Sequence, residues 1–310
     1  MSVERNPAWR YLYQHIGVGL MRLSTLFSAG VIVAILLYLL DNALPALSWE
    51  FVFEPPRDMM TAGGVWPCIV GTFWLAVGAT VIALPLGVCT AVYLTEYGGS
   101  GRMVGAIRLS VSNLSGVPSV IFGLFGLTFF VTICGFGVSL LSGVLTLAVL
   151  ALPIVINTTE AALNQVPQAW REASLALGAN KKQTIFKIIL PAALPGILTG
   201  NILALSRVAG ETAAIMYTAA VFYTPEMGDS VLDPVMSLPY HIYVLATSSV
   251  DVDTTRPMQY GTASLGADGV GSQYDGTLYP SARSAQDRSP VVTFSVPNEK
   301  GSLQGLQMLG

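Results

Sequence analysis

Residues 172–191 read EASLALGANKKQTIFKIILP, a polar, cation-bearing stretch between two long apolar segments. Its first part, Glu172 to Leu177, is a good helix former with an acid at its start, where a helix end favours negative charge. Gly178 then stops that helix in the manner of a C-terminal cap. A second helix is predicted from near Lys181 to Leu190, limited by Pro191. A helix–turn–helix of this kind, lying at a membrane surface, has a shape suited to a partner's groove.

The flanking segments establish the membrane. The chain has 310 residues, 53% of them hydrophobic and only 11% charged, with mean hydropathy +0.62. A soluble domain carries about 25% charged residues. The composition is therefore that of an integral membrane protein. A net charge of −3 with no basic tract gives no nucleic-acid signal. Cys68, Cys89 and Cys134 sit inside apolar segments without metal-ligand or redox spacing and read as small core residues. The two histidines, His15 and His241, are far apart. No cleavage pattern precedes the first apolar run, which is expected to remain as an anchor.

Working outward, residues 1–22 form a polar N-terminal segment with Arg5, Arg10 and Arg22. Spans are predicted over about residues 23–40, 65–94, 140–156 and 195–223, near or above the ~20 residues a bilayer needs. Pro85 and Pro153 suggest kinks in the second and fourth. The third span, SNLSGVPSVIFGLFGLTFF, is irregular: Gly116, Pro118, Gly123 and Gly126 interrupt it. Such breaks at membrane depth are tolerated where backbone is buried in protein or lines a cavity. Cationic loops alternate with acidic ones, so the positive-inside rule puts 1–22, 95–110 and 159–190 in the cytoplasm. The acidic segment 224–257 then lies outside. It reads as a docking surface or as a plain connection.

Glu172-Ala173-Ser174, three residues, Gly178, nine residues, Ile188, one residue, Leu190-Pro191: this spacing resembles the EAA loop of ABC-importer membrane subunits, with Ser174 in place of the second Ala. The resemblance implies that the loop, about 159–191, is a coupling element seated in a cytoplasmic ATPase. Glu172 would make the contact and Gly178 the turn, with Ala173, Ile188, Leu190 and Pro191 the other residues of the coupling loop. Three further stretches are similar to the permeases of phosphate importers of the PstA kind: GVPSVIFGLFG at 116–126, SRVAGETAAI at 206–215 and SLPYHIYVLATSSVD at 237–251. The similarity runs over about residues 10–263. It implies an all-α, polytopic MetI-like helical bundle of six helices, five of them readable here, with residues 23–263 as the permease domain. It also implies a bacterial inner-membrane location with a cytoplasmic N-terminus. The implied partners are a second, PstC-like permease, a PstB-like ATPase dimer, a PstS-like periplasmic binding protein and inorganic phosphate. This chain has no Walker A pattern, so ATP belongs to the ATPase and no cofactor is expected here.

Arg207 and Glu211 lie inside the predicted fifth span, four apart and so on one helix face. Arg207 is about 18 Å from Pro195 at ~1.5 Å rise per residue, deep in a bilayer. Intramembrane charges are costly unless paired or wet. The pair either neutralises itself at a helix interface or places a guanidinium on an anion path, where its fork suits phosphate. With Thr212, Pro118 and Ser119 from the same stretches, these are the candidate path residues. An intramembrane enzyme would need a nucleophile–base pair or a His/Asp cluster at that depth, and the sequence has neither. A permease for molybdate or sulfate, and a scaffold that does not transport, are the other readings.

Residues 264–310 fit no such family. After Gly261-Thr262-Ala263 a sixth span is expected, yet the chain reads SLGADGVGSQYDGTLYPSARSAQDRSPVV and stays polar. One reading is a disordered, Gly/Ser-rich tail, which would leave an odd span count and an outside C-terminus; a truncated, non-transporting permease is the alternative function. The favoured expectation is a shifted reading frame near Ala263. Read one base later, codon degeneracy turns Asp268, Tyr274 and Asp275 into Met or Thr and allows Leu near Leu265, Val270 and Ser272.

Overall fold

A computed structural model describes residues 7–57, 60, 62–99, 101–224, 228–248 and 255–266, and the backbone of 295–297 and 303–305. Helix α1 (Pro7–Ala43) contains a 31-residue apolar stretch, Tyr13–Ala43, and none of its most apolar window is covered by the rest of the chain. The helix begins at Pro7, so the expected polar segment 1–22 is largely its first turns. Short α2 (Trp49–Phe53), with Ser48 as N-cap, and the ladder of β1 (Pro56–Arg57) with β2 (Ala62–Gly63) lead into α3 (Trp66–Val92). A π turn, Tyr93–Tyr97, extends α3 to a 32-residue span. Pro85 lies within it.

The third span is broken. Helices α4 (Arg102–Ser115) and α5 (Ser119–Gly126, prolonged by a π turn to Ile133) meet at 103° across Gly116-Val117-Pro118. Pro118 is the N-cap of α5 and supplies no amide donor to the first turn. Helix α6 (Leu140–Asn164) starts at the Ser139 cap and runs through Pro153, longer than the apolar run suggested.

Helix α7 (Gln168–Ala176) begins at the Pro167 cap, so Glu172 is in mid-helix and not at its start. Helix α8 (Lys181–Thr184), a π turn (Ile185–Ile189) and α9 (Leu190–Ala209) form one 29-residue rod, Lys181–Ala209. Pro191 therefore does not limit the second helix. The π turn just before it supplies the local widening that a proline ring and its missing donor require. The rod ends at Ala209 with Gly210 as C-cap, not at Tyr223 as hydropathy suggested. The next stretch is a 3₁₀ turn (Ile215–Tyr217) and extended chain that bridges Ala220 to Val235. Helix α10 (Leu238–Ser248) and α11 (255–266) follow. The latter is well short of the ~20 residues of a span. Within Ser272–Gly310, a separate unit, β3 (Ser295–Pro297) pairs antiparallel with β4 (Leu303–Gly305). The rest of the predicted 264–310 tail beyond Gly266 lies outside the described residues.

Helix α6 is the axis of the bundle. Gly78 and Gly87 of α3 are so close to it that a Cβ there would sit 2.7 Å from Val144 Cγ2 and 2.6 Å from Val155 Cγ1. Gly196 and Gly200 of α9 abut Ala162 and Thr158 in the same way, and Gly126 of α5 abuts Thr146. Small residues let helix backbones approach where lipid gives no hydrophobic drive. The core between these helices holds Leu75, Phe122, Leu147, Leu150, Ala151, Val155, Ala204, Val208 and Ile215. At one end, a cap of α2, α10 and α11 closes over Phe51, Met60, Cys68, Met236, Leu245 and Met258.

A methyl group at Gly126 would collide with Thr146 and lie 2.7 Å from Thr218 Cγ2. We expect Gly126→Ala to cost about 1–3 kcal/mol by overpacking. Gly105→Ala, which points into open space on α4, should be neutral or stabilising by up to about 1 kcal/mol. Thermal unfolding of the two variants in detergent checks the difference.

Candidate functional site

Two regions carry the predicted residues. The first is the loop between α6 and α9. Its turn is fixed by backbone chemistry. Gly178 has φ +84°, a left-handed conformation that favours glycine. The Gly178 amide donates to Leu175 O (3.0 Å) and the Ala179 amide to Ser174 O (3.2 Å), a complete Schellman cap. The next helix opens with a capping box: the Gln183 amide donates to Asn180 Oδ1 (2.8 Å) and the Asn180 amide to Gln183 Oε1 (2.9 Å). The N-x-x-Q pattern was readable in the sequence. Ser174, where the motif has Ala, bonds Thr184 through their hydroxyls at 2.9 Å and ties the two helices.

Glu172, Ala173 and Gly178 are all exposed. So are Trp170, Leu175, Leu177 and Phe186, and Leu177 is 89% exposed. The loop therefore presents an apolar surface with a carboxylate in it. Ile188 and Leu190 are half-buried and Pro191 is exposed; they belong to the base of the rod, apart from the turn.

Sequence reading missed what anchors this loop. Arg171, counted there only as a loop cation, pairs with Glu96 at 3.0 Å, with 14% and 10% of the two side chains exposed. Its other donors reach Val166 O (2.6 Å) and Leu163 O (2.8 Å) at the end of α6. Arg108 pairs with Glu160 at 2.6 Å and donates to Leu94 O. No local sequence pattern signals a pair 75 residues apart.

The second region is mid-bundle. The antiparallel register set by Gly196 on Ala162 and Gly200 on Thr158 carries on to put Arg207 level with Ala151, near the middle of α6. The setting of Arg207 differs from the expected one. It is exposed in the last turn of α9, two residues from the end. Glu211 lies beyond the Gly210 cap, half-buried, its amide donating to Val208 O. The two do not share a helix face, and among the described residues no ion pair joins them. Helix α5 packs on the same segment: Gly123 is against Ala213 O and the Tyr217 ring. The stretches 116–126 and 206–215 are therefore in contact. Thr212 and Ser119 are half-buried and Pro118 is exposed, about 12 Å from Gly126 along α5.

His241 is in the cap, 2% exposed, with Nδ1 3.4 Å from Thr262 Oγ1. Burial pushes its imidazole down to about 4, so it is neutral at pH 7. Among the described residues no group of three or more His, Cys, Asp and Glu could hold a metal ion.

The fold and loop define a polytopic membrane-transport subunit. Residues 83–250 match the model of the binding-protein-dependent transport system inner membrane component. The chain belongs to that family; it is a multi-pass inner-membrane transport subunit, not an enzyme. It is 31% identical over 268 residues to a Bacillus subtilis protein named "probable ABC transporter permease protein YqgI", covering 83% of this chain and 91% of that one. It is 34% identical to the phosphate transport system permease protein PstA of Haemophilus influenzae, over 77% of this chain and 84% of that one. A bacterial ABC transporter involved in import of the polysaccharide alginate has the same fold, with TM-score 0.58 at 15% identity, over 92% of this chain and 100% of that one.

Because a Cβ at Gly178 meets nothing within 4 Å, substitution there costs only backbone strain. We expect Gly178→Val to destabilise the loop by about 1–2 kcal/mol and Gly178→Asn by less. Thermal unfolding of the purified subunit should rank them in that order.

Proposed function

We propose that the chain is a permease subunit of an ATP-driven phosphate importer, forming the translocation path with a second permease. A cytoplasmic ATPase dimer binds at residues 168–184, and a periplasmic phosphate-binding protein delivers the ion at the capped end. The N-terminus is cytoplasmic, because the cationic loops gather at the end opposite the cap. The observation that carries the reading is the meeting of the 116–126 and 206–215 stretches at mid-bundle, where an exposed guanidinium ends a helix. A relative of established phosphate-transport name supplies the substrate class.

Closing of the ATPase dimer on ATP moves the loop. The rod Lys181–Ala209 carries that movement to Arg207, and the path opens toward the capped side. Arg207 receives the anion through bidentate hydrogen bonds, with Glu211, Thr212, Ser119 and Pro118 bordering it. The positive charge at that depth costs about 2.5–3.5 kcal/mol when unpaired, so a passing anion is favoured. For the polar tail after Ala263 the reading offered is a shifted frame, with α11 as the start of the sixth helix; sequencing the gene across codons 255–285 would end the idea if the downstream frame carries stops or charges.

Arg207→Gln should abolish phosphate uptake while the complex still assembles. Uptake of labelled phosphate by membrane vesicles, with assembly followed by co-purification, checks this. Normal uptake by the variant removes Arg207 from the path. Molybdate or sulfate competing better than unlabelled phosphate would reassign the substrate.

A further inference from the structure

Both helices of the 168–184 loop reach the same π turn. Glu96 Oε1 accepts from Arg171 Nε at 3.2 Å and from Nη2 at 3.0 Å. The next residue, Tyr97, has Lys181 Nζ over its ring, 4.9 Å from the centroid. Arg171 precedes Glu172 on α7, and Lys181 opens α8. One cation from each helix thus grips consecutive residues at the end of α3. We infer that Glu96 and Tyr97 are positioning residues for energy coupling: through them, displacement of the loop is passed into α3, alongside the covalent route through the rod. The inference rests on the reading of this loop as the ATPase seat.

Three features favour a working joint over a mere staple. The first is chemistry. Packing alone would be served by apolar residues, which often replace a buried ion pair without loss. A guanidinium with bonds to Glu96, Leu163 O and Val166 O makes α3, α6 and α7 move together, because breaking any one contact strands a charge or a carbonyl. The second is the element it grips. A π turn is a local widening of the helix that recurs at functional sites, and the Gly98 amide closes it on Tyr93 O at 2.7 Å. The third is room. A cavity of about 460 Å³ adjoins the pair, lined by Thr95, Glu96, Asn164, Gln165, Gln168 and Arg171 among others. The turn therefore borders open space on the side of the pair.

The test uses the complete complex of both permeases, ATPase and binding protein in proteoliposomes, read as phosphate delivered per ATP hydrolysed. We expect Glu96→Gln and Arg171→Gln each to lower that ratio by roughly tenfold in assembled complexes. The charge swap Glu96→Arg with Arg171→Glu should recover much of it, and Arg171→Lys should fall between. Lys181→Gln, at an exposed residue, should lower the ratio several-fold without touching the buried pair. An unchanged ratio in assembled Glu96→Gln complexes overturns the inference. If the Glu96 and Arg171 variants do not assemble, a fully coupled Lys181→Gln overturns it. Failure of the ATPase to co-purify with the unaltered chain overturns the loop reading and this inference together, which separates the two failures.

Discussion

Glycines of α3, α5 and α9 lie at near-contact distance from side chains of α6, and the heights of those three spans follow from that. Gly78 and Gly87 seat α3, Gly196 and Gly200 seat α9, and Gly126 seats α5. In lipid there is little hydrophobic drive between helices, so association rests on close van der Waals contact and interhelical polar bonds. Val144, Val155, Thr158 and Ala162 are the surfaces met. They fix the translation of each neighbour along α6 as well as its distance. A slide of one residue would drive a side chain into a backbone.

With heights fixed, the interruptions fall where the packing puts them. Helix α9 stops level with the middle of α6, and α5 starts after a 103° bend. Backbone freed in this way needs partners inside the protein. It finds them. The Met216 amide donates to Thr212 O, the Ala219 amide to Ile215 O, the Val221 amide to Val235 O and the Ser139 amide to Thr218 O. Thr218 Oγ1 adds a bond to Ala214 O. The stretch 210–221 is thereby tied to the bundle by hydrogen bonds while Arg207 stays exposed at its edge.

How much of this was legible in the sequence depends on range. Spans, the broken third segment and the Gly178 cap rest on local chemistry, and they are present. The end of α9 was misplaced because the apolar run continues to Tyr223, and hydropathy does not distinguish helix from buried extended chain. Gly210 was the overlooked signal, and it is also what separates Arg207 from Glu211. Pro191 misled because a proline stops a regular α turn, whereas a π turn precedes it here. Glu96 was invisible as a partner of Arg171, since a charge at the end of a span and one on a loop helix reveal their pairing only once α3, α6 and α7 are packed.

The same facts bear on how a loop can act on a site it does not touch. The back-to-back Schellman cap and capping box, with the Ser174–Thr184 bond across them, leave the turn at 176–180 little freedom. A stiff turn transmits displacement; a soft one absorbs it. From Lys181 the chain is helical without a break to Ala209, so Arg207 lies about 39 Å along one rod from the loop at 1.5 Å per residue. The exposed Trp170, Leu175, Leu177 and Phe186 give a partner apolar area to grip at one end of that rod. Its other end carries a charge that no ion pair within the described residues neutralises. On the function proposed above, a partner's grip at one end of this rod would couple to the cation at the other, because tilting the rod changes which medium surrounds the charge.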